Sequence, residues 1–176
     1  ACLPSPDTDK HLMELEDRVA IVTGAGQGIG FGIAKLLSEQ GARVIIGDKD
    51  EERGAAAAET IRNGGGQAVA MHLDVTDSEA CATLVARARD SYGQLDILVN
   101  NAGLFILDKS EDLSEEDWRI QIDVMLNGAF FMTQAVARVM IPQQPGVVVS
   151  IPSIGRMGGW PMRSAYNAAK AGVIAL

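Results

Sequence analysis

Tyr166 and Lys170, four positions apart, and Ser153, thirteen residues before the tyrosine, are the residues of this chain whose types and spacing are best suited to chemistry. On a helix a spacing of four brings a phenol and an ammonium onto one face, where the cation holds the phenol's proton loosely. That arrangement is an acid/base device. Near the front, Thr23-Gly-Ala-Gly-Gln-Gly-Ile-Gly30 separates an apolar run from a helical pattern. A glycine turn in that position seats a pyrophosphate on a helix N-terminus. The two constellations together imply redox chemistry on a nicotinamide dinucleotide.

The glycine spacing, Gly24-x-x-x-Gly28-x-Gly30, departs from the common G-x-G-x-x-G pattern but asks for the same geometry. Gly24 and Gly26 permit a turn that side chains would obstruct, Gly28 lets backbone approach a pyrophosphate, and Gly30 lets the helix pack close to the sheet. A tight turn between strand and helix needs glycine for structural reasons as well. Asp48, twenty residues after Gly28, stands where an acid meets the adenosine ribose. A carboxylate there accepts from both ribose hydroxyls and repels a 2′-phosphate, which predicts NAD in preference to NADP. Lys49 pulls the other way, since a cation can help a phosphate, and Asp48-Lys49-Asp50 also reads as an ordinary charged turn.

Positioning these residues takes alternating strands and helices, and the apolar pattern supplies them. Strands are expected at Val19 to Thr23, Val44 to Gly47, Gln67 to Leu73, Leu95 to Val99 and Val147 to Ile151. Between them lie helical patterns from Ile29 to Gly41, Glu51 to Arg62 and 78 to 91, and a long one opened by a capping box at Ser114-Glu-Glu-Asp117 and running to about Met140. A last helix begins at Ser164. Near-continuous apolar strands separated by helices mean a doubly wound parallel α/β sheet with helices on both faces. We expect one domain over residues 13–176, with Met13 as the natural start and residues 1–12 as a polar, disordered extension.

A formal charge of −8 and a pI near 4.7, with no basic patch, argue against nucleic acid or an anionic membrane as partner. Cys2 and Cys81 form no disulfide framework or metal motif; Cys81 shares a helical stripe with Leu84, Val85 and Ala88, as a small buried residue does. No metal is expected. Without a signal-peptide run or an uncharged stretch of spanning length, the expectation is a cytoplasmic protein.

Thr23-Gly-x-x-x-Gly-x-Gly30, Asp74, Asn100-Asn-Ala-Gly103, Asn127, Ser153 and Tyr166-x-x-x-Lys170, in this order and spacing, resemble the short-chain dehydrogenase/reductase family from Met13 to Leu176. The resemblance implies a Rossmann fold in which Tyr166 exchanges a proton with an alcohol or carbonyl oxygen as hydride moves to or from the nicotinamide. It further implies that Lys170 assists the phenol and bonds the nicotinamide ribose, that Ser153 orients the substrate oxygen, and that Asn127 holds a water linking Lys170 to solvent. Asn127 reads equally as a buried amide within a distorted helical turn. Cofactor contacts are implied for Gly24, Gln27, Gly28, Ile29, Gly30, Asp48, Asp74, Val75, Asn101, Ala102, Gly103, Tyr166 and Lys170. Pro152 departs from the family pattern, which often has a second serine there; it stiffens the approach to Ser153.

The expected function is hydride transfer between NAD(H) and a secondary alcohol or ketone. The alternatives are an NADPH-dependent 3-oxoacyl thioester reductase, which Asp48 disfavours, and a dinucleotide-binding protein without catalysis. A P-loop motif is absent, and Ile151 occupies the position where a hydrolase elbow needs glycine. The long helix from Ser114, apolar on many sides, predicts a homo-oligomer, a tetramer or dimer. Val147 to Ile151 would leave an apolar sheet edge, and Val173-Ile-Ala-Leu176 carries no stop signal, so the chain is expected to be a C-terminally truncated catalytic domain.

Overall fold

Five β-branched runs pair in parallel in the computed structural model, which describes residues 14–154 and 159–176. They are β1 (Val19–Thr23), β2 (Arg43–Asp48), β3 (Gln67–His72), β4 (Ile97–Asn100) and β5 (Val147–Ser150), in the spatial order β3-β2-β1-β4-β5. The helices are α1 (Gly28–Glu39), α2 (Glu51–Asn63), α3 (Ser78–Tyr92), α4 (Glu115–Ile122), α5 (Gly128–Gln143) and α6 (Ser164–Ala175). The chain moves outward from β1 to β3 and then returns to place β4 on the other side of β1. That reversal opens a crevice above the carboxyl ends of β1 and β4. The extension expected over residues 1–12, with Cys2, lies outside the described residues.

Alternate residues along each strand face opposite sides of the sheet and feed two cores. On one side Ile21, Ile45 and Leu98 pack with Leu84 and Val85 of α3 and Met132 and Val136 of α5. On the other, Val22, Val44, Ile46 and Val99 meet Ala34 of α1 and Ala57, Ala58 and Ile61 of α2. β1 is buried along its whole length because both faces are covered, which is why it reads as an unbroken apolar run. Each large side chain so buried contributes about 1.5–3 kcal/mol. Cys81 is fully buried on the stripe with Leu84, Val85 and Ala88; burial, then the nearby carboxylates of Asp77 and Asp74, push its thiol up to about 11, so it behaves as an inert apolar side chain.

Local signals set the helix starts. Asp50 accepts from Arg53 N to open α2, Asp77 from Glu79 N and Ala80 N to open α3, and Ser114 from Asp117 N to open α4. The helix expected to run on from Ser114 is interrupted by a π-helical turn over Asp123–Asn127, closed on its side by Asn127 Nδ2 donating to Asp123 Oδ1 at 2.8 Å. The same apolar pattern runs through α4, the wide turn and α5, so periodicity alone gives no sign of the extra residue. Glu115–Gln143 is long and apolar enough to cross a membrane by length and composition. Met125, Met132, Val136 and Met140 are nevertheless buried in the core, while Trp118, Phe130 and Ile141 are exposed. β5 is an edge strand with Val147, Val148 and Val149 all exposed.

Gly128, the first residue of α5, is where that helix comes against the segment after β3. A Cβ on it would fall 2.8 Å from Val75 Cγ2 and 3.2 Å from Val75 O, and the backbone atom has no freedom to yield. Gly128→Ala is therefore expected to lower stability by about 1–3 kcal/mol, an ordinary cost of overpacking. Urea unfolding of the two proteins would measure it, and equal midpoints would show that α5 is free to move away from Val75.

Candidate active site

The carboxyl ends of the strands converge on an open cleft of about 770 Å³. Its floor is made by a few hydrogen bonds at the ends of β1 and β4. The buried Thr23 Oγ1 accepts from Asn101 N at 3.1 Å and Ala102 N at 3.0 Å, and Asn101 Nδ2 returns bonds to Thr23 O at 2.9 Å and Gly24 O at 3.1 Å. Gly24 and Gly28 hold φ of +62° and +60°, a region glycine enters without strain. A Cβ at Gly30 would collide with Gly24 O and Asn101 Nδ2, so this glycine packs against its own turn and Asn101. At Gly28 the corresponding direction is open, leaving backbone accessible from the cleft.

Asp48 ends β2 with both carboxylate oxygens already oriented. Oδ2 accepts from Gly26 N at 2.8 Å and Oδ1 from Asp50 N at 3.0 Å. Gly26 is required here, because its Cβ would lie 2.8 Å from Asp48 Oδ2. The neighbouring cations, which also line the cleft, each engage another carboxylate. Lys49 Nζ pairs with Asp74 Oδ2 at 2.6 Å and Arg53 Nε with Asp50 Oδ2 at 2.6 Å. Partial burial alone would raise the Asp74 carboxyl, but hydrogen bonds from Lys49 and from Thr76 outweigh it and hold the group at about 2. Lys49 thus spans the ends of β2 and β3.

At the opposite end of the cleft α6 supplies Tyr166 and Lys170. Lys170 is only 7% exposed, and its Nζ donates to Ile151 O at 2.6 Å, just beyond β5. Burial pulls its ammonium below the ordinary lysine value. The Tyr166 ring is met edge-on by Phe105, with centroids 4.8 Å apart. Ser153 is half-buried two residues past Ile151, whose side chain lines the cleft. Lys170 also lines a second, small cavity of about 10 Å³, the size of one water, bounded too by Asn100 and Thr23. Asn100 Nδ2 bonds Thr133 Oγ1 at 3.0 Å, while its buried Oδ1 has no hydrogen-bond partner.

All thirteen residues expected to contact a cofactor, from Gly24 and Gln27 to Tyr166 and Lys170, line the one large cleft. Ser153 and Asn127 are not among its lining residues; Asn127 sits in the π-helical turn that packs on α6. Sequence reasoning passed over the apolar wall of Leu104, Phe105, Ile120, Val124 and Met125. These residues belong to no motif, and their one signal is position, since they follow β4 or lie on the helix facing it. The arrangement joins a carboxylate and glycine turn suited to a nucleotide with an apolar pocket that contains a phenol and a buried ammonium.

Comparison with known proteins agrees with this geometry. A curated 3beta-hydroxysteroid dehydrogenase of Mediterraneibacter gnavus is 36% identical over 162 residues, 92% of this chain and 58% of the relative. A 3-oxoacyl-(acyl-carrier-protein) reductase of Chlamydia muridarum is 40% identical over 161 residues, 91% of this chain and 65% of the relative. The chain therefore spans less than two thirds of the length of these relatives. The crystal structure of a short chain dehydrogenase from Mycobacterium smegmatis superposes with a TM-score of 0.89 at 34% identity, covering 93% of this chain and 68% of that one. The family model for short chain dehydrogenases matches residues 18–176, and the chain belongs to the short-chain dehydrogenase/reductase family.

Proposed function

We propose that the protein is an oxidoreductase that moves hydride between NAD(H) and a secondary alcohol or ketone. The observation that carries the reading is a single cleft with the oriented Asp48 carboxylate at one end and Tyr166 with the buried Lys170 at the other. The residues present fit a dinucleotide: Gly28 leaves backbone open to a pyrophosphate, and Asp48 offers lone pairs to a ribose. The nicotinamide, when bound, supplies the hydride acceptor or donor.

The remaining work belongs to the chain's own side chains. Tyr166 gives its hydroxyl proton to a carbonyl oxygen, or takes one from an alcohol. Lys170 places a fixed positive charge below it, stabilising the phenolate that forms, and reaches toward the ribose beside the nicotinamide. Ser153 orients the reacting oxygen from the end of β5. A water in the small cavity accepts from Lys170 Nζ and donates to Asn100 Oδ1, giving the proton a next station. Asn127, at the end of the π-helical turn, holds the segment against which α6 packs and continues the path toward solvent. Asp74 and Val75 border the adenine side.

The 3-oxoacyl reductase that is 40% identical keeps a thioester reductase in view as the second reading. The engagement of Lys49 by Asp74 and of Arg53 by Asp50 supports NAD, because each cation, although on the cleft wall, already has a carboxylate partner. A dinucleotide sensor would have no use for a proton donor beside a buried ammonium. Exposed Trp118, Phe130 and Ile141 along α4 and α5 support a homo-oligomer, and we place the protein in the cytoplasm.

Two outcomes are expected. Tyr166→Phe removes the transferable proton and keeps the ring, so turnover of a secondary alcohol falls by about 10² or more while NADH titrates as in the wild type; a variant that retains most of its turnover contradicts the assignment. Asp48→Ser removes the repulsion of a 2′-phosphate and shifts the NADP-to-NAD ratio of kcat/KM upward by about tenfold, equivalent to one lost charge interaction. Lys49→Ala leaves that ratio near its wild-type value. If Lys49→Ala rather than Asp48→Ser changes the ratio, the lysine reads the phosphate.

A further inference from the structure

The hydride-transfer reading makes no use of Arg163, although its guanidinium stands close to Tyr166. Its Cζ lies 4.9 Å from the Phe105 ring centroid and 4.7 Å from that of Trp160, and Phe105 in turn makes a T-shaped contact with Tyr166, centroids 4.8 Å apart. The segment is fastened in place by Asp108 N donating to Met162 O at 3.2 Å and by Asn167 Nδ2 donating to Trp160 O at 3.2 Å. Arg163 is thus fixed by aromatic faces, one ring's width from the candidate proton donor.

Its charge has no counterpart. Of the described arginines, Arg18, Arg43, Arg53, Arg89 and Arg119 each pair with a carboxylate, Arg62 and Arg138 donate to Ala68 O and Gln134 Oε1, and Arg87, like Arg163, does neither; of these two only Arg163 is stacked on a ring of the cleft wall. Among the described residues Arg163 has no carboxylate within ion-pair distance, and its N–H groups bond no protein acceptor. Its position as the residue preceding α6 is also one where the helix dipole disfavours a cation. Ring contacts take up none of the five N–H donors, whose planar fork matches a carboxylate. A cation held between two rings, left unpaired and packed on Phe105, which lines the cleft, is suited to an anionic group brought in with the substrate.

We propose that Arg163 is a substrate anchor, and that the substrate is a secondary hydroxy acid or the matching oxo acid. Its carboxylate pairs with Arg163, and its reacting carbon lies at Tyr166 across Phe105, a short carbon chain or one ring away. The proposal rests on the hydride-transfer reading for the reacting end and names the substrate class for the same cleft.

The test uses secondary hydroxy acids of graded chain length, each beside its methyl ester, with the full chain and NAD. The wild type should favour the acid over the ester at one preferred length. Arg163→Gln should lower the acid-to-ester ratio of kcat/KM by about tenfold, the loss of a charge-assisted pair, and Arg163→Lys, which keeps the charge without the fork, by less. A ratio that Arg163→Gln leaves in place, or a wild type that favours the ester at every length, overturns the proposal; should Arg163→Gln not fold, Arg163→Lys reads the same ratio. Calorimetry with hexanoate and hexanamide in the presence of NADH separates the two claims. Hexanoate binding that depends on Arg163, in a protein that oxidises no alcohol, keeps the anchor and rejects hydride transfer. Equal binding of hexanoate and hexanamide, in a protein that oxidises the esters, does the reverse.

Discussion

The cleft depends on one buried hydroxyl. Thr23 ends the central strand, and its Oγ1 receives two backbone N–H groups, from Asn101 and Ala102, that a parallel sheet otherwise leaves unpaired where β4 stops. Each of those donors would cost about 1–3 kcal/mol if left buried and unsatisfied. Asn101 returns its amide to Thr23 O and Gly24 O, so the glycine turn and the segment after β4 are locked to each other. The close fit of Gly30 beneath that amide follows, as does the open approach at Gly28. Gly26 then reaches Asp48, and Asp48 orders the start of the next turn through Asp50 N. A strand-end hydroxyl is therefore linked, through bonds between side chains and backbone, to the carboxylate of Asp48 at the end of β2.

The other end of the cleft is built on an opposing principle. Lys170 is almost fully buried, which disfavours its charged form, and its Nζ donates to a carbonyl, Ile151 O, rather than to a carboxylate. An ion pair would neutralise the charge, as a carbonyl does not; the proposed function uses that charge beside the Tyr166 phenol. The unpartnered Asn100 Oδ1 beside the same cavity shows a similar choice, since a structural asparagine would have both ends satisfied. Arg163 repeats it at the rim, with a cation held by rings and no counter-charge. Local rules of burial and pairing are broken at these three places, and such breaks concentrate where a protein does its work.

Most of the scaffold was legible because its signals are local. The apolar run of β1, the caps at Asp50, Asp77 and Ser114, and the helix-and-strand alternation each express a preference that the tertiary structure respects. The thirteen residues expected to contact a cofactor were picked out as an ordered set of short motifs, and they line one cleft. What escaped depends on side chains distant in sequence. The Lys49–Asp74 pair requires knowing that β2 and β3 end side by side. The stack of Trp160, Arg163, Phe105 and Tyr166 joins the segment after β4 to the start of α6. The π-helical turn over Asp123–Asn127 leaves no mark in the apolar periodicity, and only the reading of Asn127 as an amide in a distorted turn touched it.

The central claim is that a dinucleotide binds on a floor prepared by Thr23. Titration of NADH, followed by its own fluorescence, into the wild type and Thr23→Val tests it without knowledge of the substrate. Valine keeps the shape and strands two N–H donors, so the account predicts one saturable site in the wild type and affinity reduced by about tenfold or more in the variant. A wild-type protein that does not bind NADH, or a Thr23→Val protein that binds it equally well, would contradict the account.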